Sequence, residues 1–240
     1  SPADRRMLTR SVRDRTMKAM ILAAGRGERM RPLTDATPKP LLCVGGKPLI
    51  VWTIERLRDA GITEIVINYA YLGQQIEDVL RDGRQWGVSI QYSPEVEALE
   101  TAGGIAKALP LLGNQPFIAT AGDLYCDYDF SSLTRIQLGN QLAHLVLVNN
   151  PLHNPKGDFA LLSSRVENDG PVRLTFSGIG LYQPDLFALV QPGEKQKLAI
   201  ILRAAIQDHR VSGEKHDGLW SDIGTPERLA ALDQQLSRTV

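Results

Sequence analysis

The chain has 240 residues, 43% hydrophobic and 22% charged, with 27 basic residues balanced by 27 acidic ones. This is an ordinary globular composition, long enough to bury a substantial core without staples, and zero net charge excludes a broad field drawing the chain to nucleic acid or membrane. No apolar run approaches the ~18 residues of a membrane span, the N-terminus has no signal-type apolar segment, and the two widely spaced cysteines, Cys43 and Cys126, read as buried free thiols of a cytoplasmic protein.

Residues 1–16 carry Arg5, Arg6, Arg10, Arg13 and Arg15 against Asp4 and Asp14, with little apolar periodicity. They read as a flexible extension, with a basic arm for a partner as the sharper alternative. The folded body is expected from Met17. A buried strand is predicted over 18–24, ending in glycines, and a helix over 48–60, with Ile50, Ile54 and Leu57 on one face and Gly61 to stop it. A strand over 64–68, a helix through Leu72, Ile76, Val79 and Leu80, a strand over 88–92, a short helix over 103–109 and a strand over 117–121 follow. This alternation predicts an α/β fold, a Rossmann-like, mostly parallel twisted sheet flanked by helices, whose ligands bind beyond the carboxyl ends of the strands. The second half is less regular and reads as a smaller β-rich part. Strands are predicted over 142–148, 158–162, 172–176 and 178–182, the middle two paired around the turn Glu167-Asn168-Asp169-Gly170. A helix over 197–206 follows, and a last one capped by Thr225 with Pro226 at its first position.

Chemistry concentrates after the first strand, in Leu22-Ala23-Ala24-Gly25-Arg26-Gly27-Glu28-Arg29-Met30-Arg31-Pro32-Leu33-Thr34. Gly25 and Gly27 allow a tight turn and close approach to a ligand, and successive amides there can cradle phosphates. Arg29 is placed to neutralise charge on a phosphoryl group. Met30 stands where a dinucleotide-binding loop would need its third glycine, and no Gly-Lys-Ser or Gly-Lys-Thr follows, so a Rossmann oxidoreductase and a P-loop enzyme are both disfavoured. Next, Thr37-Pro38-Lys39-Pro40-Leu41 stiffens a lysine between two prolines. That ammonium suits a triphosphate or sugar phosphate; a solvated surface lysine fits the same residues.

The run 17–42 resembles the N-terminal motif of the sugar-1-phosphate nucleotidyltransferase family, and the similarity extends over roughly 17–237. Leu99-Glu100-Thr101-Ala102-Gly103-Gly104 resembles the base-reading loop of that family, Gly122-Asp123 its first metal-binding turn, and Trp220-Ser221-Asp222-Ile223-Gly224-Thr225 its second. The resemblance implies one domain over 17–240, with a nucleotide-binding half of about 17–125 and a sugar-binding half of about 126–240. It implies a nucleoside triphosphate and a sugar-1-phosphate as partners, with a monomer or small homo-oligomer as the acting species. Ala23, Ala24, Gly25, Gly27, Arg29, Lys39, Glu100, Thr101, Ala102, Gly103 and Asp123 would meet the nucleotide. Asn150, Lys156, Asp158, Ser177 and Gly178 would meet the sugar. Mg²⁺ would sit on Asp123 and Asp222, and Arg29, Lys39 and Asp123 would carry catalysis.

The residues have readings of their own beside this. Thr101 to Gly104 is a small-residue turn that lets backbone approach a flat base, or a plain helix cap. Asp123 follows a buried strand, where an unpaired carboxylate is costly and a hard cation would relieve it; a structural carboxylate capping a turn is the alternative for it and for Asp222. The runs Gly73-Gln74-Gln75-Ile76-Glu77-Asp78 and Thr175-Phe176-Ser177-Gly178-Ile179 resemble the branch that serves cell-wall recycling with UTP. Other members use glucose- or mannose-1-phosphate, and motifs common to all do not separate them. The family commonly has Asn before the Gly-Asp turn, where this chain has Ala121, the one feature pointing toward a non-catalytic sugar-nucleotide sensor. His144, His153, His209 and His216 form no spaced cluster and read as structural or surface residues, and Trp52, Trp86 and Trp220 as core.

Overall fold

A computed structural model describes residues 17–238 of the chain; the predicted N-terminal extension lies outside them. In chain order the elements are β1 (Lys18–Ala23), β2 (Cys43–Val44), β3 (Lys47–Pro48), α1 (Leu49–Asp59), β4 (Glu64–Tyr69), α2 (Gln74–Leu80), β5 (Ser89–Pro94), α3 (Glu100–Leu112), β6 (Phe117–Ala121), β7 (Tyr125–Cys126), α4 (Ser131–Thr134), β8 (Ala143–Val148), β9 (Phe159–Leu162), β10 (Arg165–Glu167), β11 (Arg173–Tyr182), α5 (Leu198–Gln207), β12 (Val211–Lys215), β13 (Trp220–Ser221) and α6 (Pro226–Ser237). Single 3₁₀ turns occupy Glu28–Met30, Leu33–Asp35 and Lys39–Leu41. Pro32 thus prevents a long helix after the glycine loop, as its ring predicts.

Nine strands form one sheet in the order β5-β4-β1-β6-β11-β8-β12-β10-β9. The first four run parallel, and β11 joins β6 antiparallel, so the sheet is mixed, parallel from β5 to β6 and largely antiparallel beyond β6. Alternation along β1 sends Ala19 and Ile21 to one face with Ile50, Ile54 and Leu57 of α1, and Met20 to the other with Ile105 and Ala108 of α3. Both faces are therefore buried, which is why the parallel strands read as continuous apolar runs. The far end closes on itself: β9 pairs with β10 on one side and with β11, through Arg173 and Leu174, on the other.

Several elements differ from expectation. β11 is one strand where two were predicted, because its register shifts between Phe176 and Ile179 and Gly178 takes a φ of +89° there, a bulge that bends a strand without ending it. Strands β10 and β12 were not predicted; each is short, and β12 carries Gly213 at its centre. Helix α3 starts at Glu100 and includes Pro110, outlasting the predicted 103–109. Cys126 is buried as expected, but Cys43 is exposed, because β2 turns its side chain outward from a two-stranded ribbon. Among the described residues no helix is long and apolar enough to cross a membrane.

Candidate active site

The carboxyl ends of β1, β4 and β6 meet at the glycine loop. Ala23, the last residue of β1, donates its N–H to Asn68 Oδ1 at 2.9 Å. Asn68 Nδ2 donates to Glu95 Oε2 at 2.9 Å, and Glu95 Oε1 accepts from Leu99 N at 3.0 Å, just before α3. This buried relay joins the glycine loop to the predicted base-reading loop. Gly27 sits at φ +65°, and a Cβ there would lie 3.1 Å from Lys39 Cβ and from Thr34 Cγ2. Thr34 Oγ1 donates to Gly27 O at 2.6 Å. The glycine loop is thereby seated on the Pro-Lys-Pro turn.

Lys39 is 6% exposed, so it is no solvated surface lysine. Its Nζ lies 3.2 Å from Asp123 Oδ2 and donates to the Asp222 carbonyl at 2.8 Å. A buried ammonium persists only when paired in this way, and here the pairing draws the two predicted aspartate turns together. Asp123 follows Gly122, where a Cβ would meet Ile21 Cγ2 at 2.9 Å as the turn crosses β1. The Asp123 side chain remains 40% exposed toward the cleft. Asp222 Oδ1 accepts from Arg228 Nη1 at 3.0 Å, and its Oδ2 lies 2.7 Å from His153 Nε2.

Asp123 borders three cavities, two of which share a wall. The larger, about 640 Å³, runs from Ala24, Gly25 and Arg26 past Glu100 and Thr101 to Asp158, Gly178 and the first turns of α5. The second, about 410 Å³, holds Arg29, Lys39 and Asp222 together with His153 and Trp220. They share Ala121, Asp123, Phe176 and Gly178, and so form one cleft beyond the carboxyl ends of the strands, at the edge where sheets of this class bind ligands.

Residues 18–157 match the nucleotidyl transferase family. The chain belongs to that family. It is 60% identical over 220 residues to N-acetylmuramate alpha-1-phosphate uridylyltransferase of Neisseria meningitidis serogroup B, covering 89% of this chain and 95% of that one. It is 30% identical to mannose-1-phosphate guanyltransferase of Schizosaccharomyces pombe, covering 88% of this chain but only 62% of that longer protein. A crystal structure of UDP-glucose pyrophosphorylase complexed with UDP-glucose superposes with a TM-score of 0.76 at 19% identity, over 94% of this chain and all of that one; at that identity it speaks for the fold alone.

Within this nucleotidyl transferase the predicted residues divide into three groups. Ala24, Gly25, Gly27, Arg29, Lys39, Glu100, Thr101, Asp123, Asp158, Ser177, Gly178 and Asp222 line the cleft or its margin. Ala23, Ala102 and Gly103 lie beneath it: Ala23 is tied to Asn68, and Gly103 N donates to Gln196 O at 3.1 Å. Asn150 and Lys156 serve the adjoining loop. Asn150 Oδ1 accepts from Thr175 Oγ1 at 2.8 Å and its Nδ2 donates to Arg173 O, while the Lys156 carbonyl accepts from Arg173 Nε. Asp158 is itself braced, accepting from Asn154 Nδ2 at 3.1 Å and from Phe176 N at 2.8 Å. Ser177 Oγ donates to Val146 O and accepts from Ile179 N, holding the bulge at Gly178.

One expectation is corrected. His153 is no bystander, because it lies against Asp222. Trp220 packs against the core as expected and also borders the cleft, where its Nε1 donates to Ser177 O at 2.9 Å. Arg228 and the Asn68–Glu95 relay were also missed. The signal for Arg228 was its place one turn into a helix capped by Thr225, whose Oγ1 accepts from Arg228 N at 3.2 Å. Ala121 lies where the two cavities meet, so the small side chain leaves volume there.

Proposed function

We propose that the chain transfers the uridylyl group of UTP to N-acetylmuramic acid α-1-phosphate, giving UDP-N-acetylmuramic acid and pyrophosphate. The single observation that carries the reaction type is the Lys39 ammonium held between the Asp123 carboxylate and the Asp222 turn, at the foot of a glycine loop; the relative from Neisseria supports the choice of base and sugar. An oxygen of the sugar phosphate attacks the α-phosphorus, the bond to the β-phosphate oxygen breaks, and pyrophosphate departs in line. The nucleophile is already anionic, so no proton needs to be removed and catalysis rests on positioning and charge neutralisation.

In this reading the loop amides at Gly25 and Gly27 receive the phosphates, and Arg29 faces the departing pyrophosphate. Lys39, fixed by two prolines and two partners, meets the α-phosphate or sugar phosphate. The Thr101 turn receives the base. The family typically works with a divalent metal. Asp123 and Asp222 fit a hard cation, for both line the same cavity and both hold a protein cation as counter-ion, Lys39 for the one and Arg228 for the other. Bound there, Mg²⁺ would supply charge neutralisation of the phosphates. Among the described residues the one group of three potential ligands, Cys126, Asp127 and His216, includes neither aspartate.

The test is pyrophosphate release with Mg²⁺, crossing UTP, dTTP, GTP and CTP against a panel of sugar-1-phosphates that includes N-acetylmuramic acid 1-phosphate. Release with UTP and the muramic sugar is expected. Preference for glucose- or mannose-1-phosphate would keep the reaction class and move the substrate. Silence across the panel from folded protein would favour a non-catalytic sensor.

A further inference from the structure

The sugar of the proposed reaction differs from glucose and mannose by a lactyl ether carrying a second negative charge, far from the phosphate. A cleft that prefers it needs a cation placed away from Lys39 and Arg29. The larger cavity contains three other cations, Arg26, Lys197 and Arg203. Arg26 is already engaged, 3.8 Å from Glu28 and over the Tyr71 ring. Lys197 and Arg203 are not: among the described residues neither side chain has an ion pair, a hydrogen bond or a ring partner, and each contributes only its backbone carbonyl, to Gln196 and Asn168 respectively.

Their placement on α5 is specific. Leu198, Ala199, Leu202 and Arg203 all line the cavity, a spacing that puts them on one helical face. Leu198 and Leu202 are buried and fix that face against the core. Ala199, one turn before Arg203, leaves a gap on the cavity side. Lys197 caps the start of the same helix without a side-chain hydrogen bond, so the positive end of the helix dipole adds to the field there. Asp158 and Gly178, which the sugar would meet, line the same cavity. An uncharged hexose would leave both cations of α5 without a counter-ion.

We infer that Arg203, supported by Lys197, reads the lactyl carboxylate and so selects the muramic sugar; this rests on the proposed uridylyltransferase reading. The planar guanidinium matches a carboxylate with two parallel hydrogen bonds, where the ammonium acts as a point charge.

The test compares N-acetylmuramic acid 1-phosphate with N-acetylglucosamine 1-phosphate, which has the same ring without the ether, using UTP and Mg²⁺. The quantity read is the ratio of their kcat/KM values. Arg203→Leu should lower that ratio roughly 10- to 100-fold, the span of a lost charge-assisted hydrogen bond, with the change in KM for the acid sugar. Arg203→Lys should restore part of it, and Lys197→Leu should lower it less. A thermal melt of each variant checks the fold. An unchanged ratio in Arg203→Leu and in the variant combining Lys197→Leu with Arg203→Leu would overturn the inference, as would an equal loss on both sugars. Failure of the unaltered protein to turn over the muramic sugar would instead overturn the proposed reaction, and the inference with it.

Discussion

Lys39 stood out because two prolines fix its backbone beside a glycine loop, but the same residues fitted a solvated surface lysine, and only its burial decides against that. Its partners were not legible in detail, because Asp222 lies 183 residues away along the chain. The same holds for His153, whose contact with Arg228 spans 75 positions and leaves no local pattern. Lys39→Met should lower kcat/KM on the order of 10²–10³-fold, the usual result of removing a preorganised charge from a transition state, with pyrophosphate release as the readout. Asp123→Ala and Asp222→Ala should each abolish Mg²⁺-dependent release while far-UV circular dichroism stays near that of the parent protein; near-normal turnover in either would remove that residue from the proposed metal pair.

Elements with a clear period were read correctly from sequence: β1, α1, α2, β6 and α5 each carry a continuous apolar run or a 3.6-residue stripe. The missed strands have neither. β10 is three residues long, and β12 gains its place by parallel pairing with β8 rather than by its own apolar content. That pairing brings Ser212 opposite His144, whose Nε2 lies 2.9 Å from Glu214 Oε2. The His144 hydrogen bond, aided by Tyr128 and opposed by burial, holds the Glu214 carboxyl below its ordinary 4.5. A depressed carboxyl stabilises the fold above its unfolded value and ceases to do so as pH falls through the folded one. The difference in Tm between the parent and Glu214→Gln should therefore be largest near neutral pH and shrink below about pH 4. The Asn68–Glu95 relay spans β1, β4 and α3 and was invisible to periodicity, since it consists of single polar residues at strand ends. Glu95→Gln turns a donor toward Asn68 Nδ2 or Leu99 N, leaving a buried group unpaired. It should cost about 1–3 kcal/mol in urea unfolding and raise the KM for UTP more than it lowers kcat.

At the scale of the whole molecule, the alternation of strand and helix foretold the parallel half, and the turn-rich second half foretold antiparallel pairing. The seam between them was not foreseeable, because it depends on β11 crossing the chain to lie beside β6. Through that seam the described residues share a continuous ladder. Heating should give one transition, with calorimetric and van't Hoff enthalpies in agreement. A fragment ending at residue 125 should lack dispersed amide resonances, because β6 loses the partner on its outer side.

The return of β9 onto β11 has a further effect on how the protein meets its neighbours in a crowded solution. A sheet that ends in a free strand presents a row of unpaired amides and carbonyls on which another chain can polymerise. Here one flank of the nine-stranded sheet has no terminal strand, and among the described residues β5 is the open border of that sheet. Along β5, Ile90 and Ser93 turn inward while Ser89 and Gln91 face solvent, and its last residue, Pro94, has no amide hydrogen to donate. The nine-stranded sheet thus offers templated association one six-residue, polar border that ends in a residue unable to extend it.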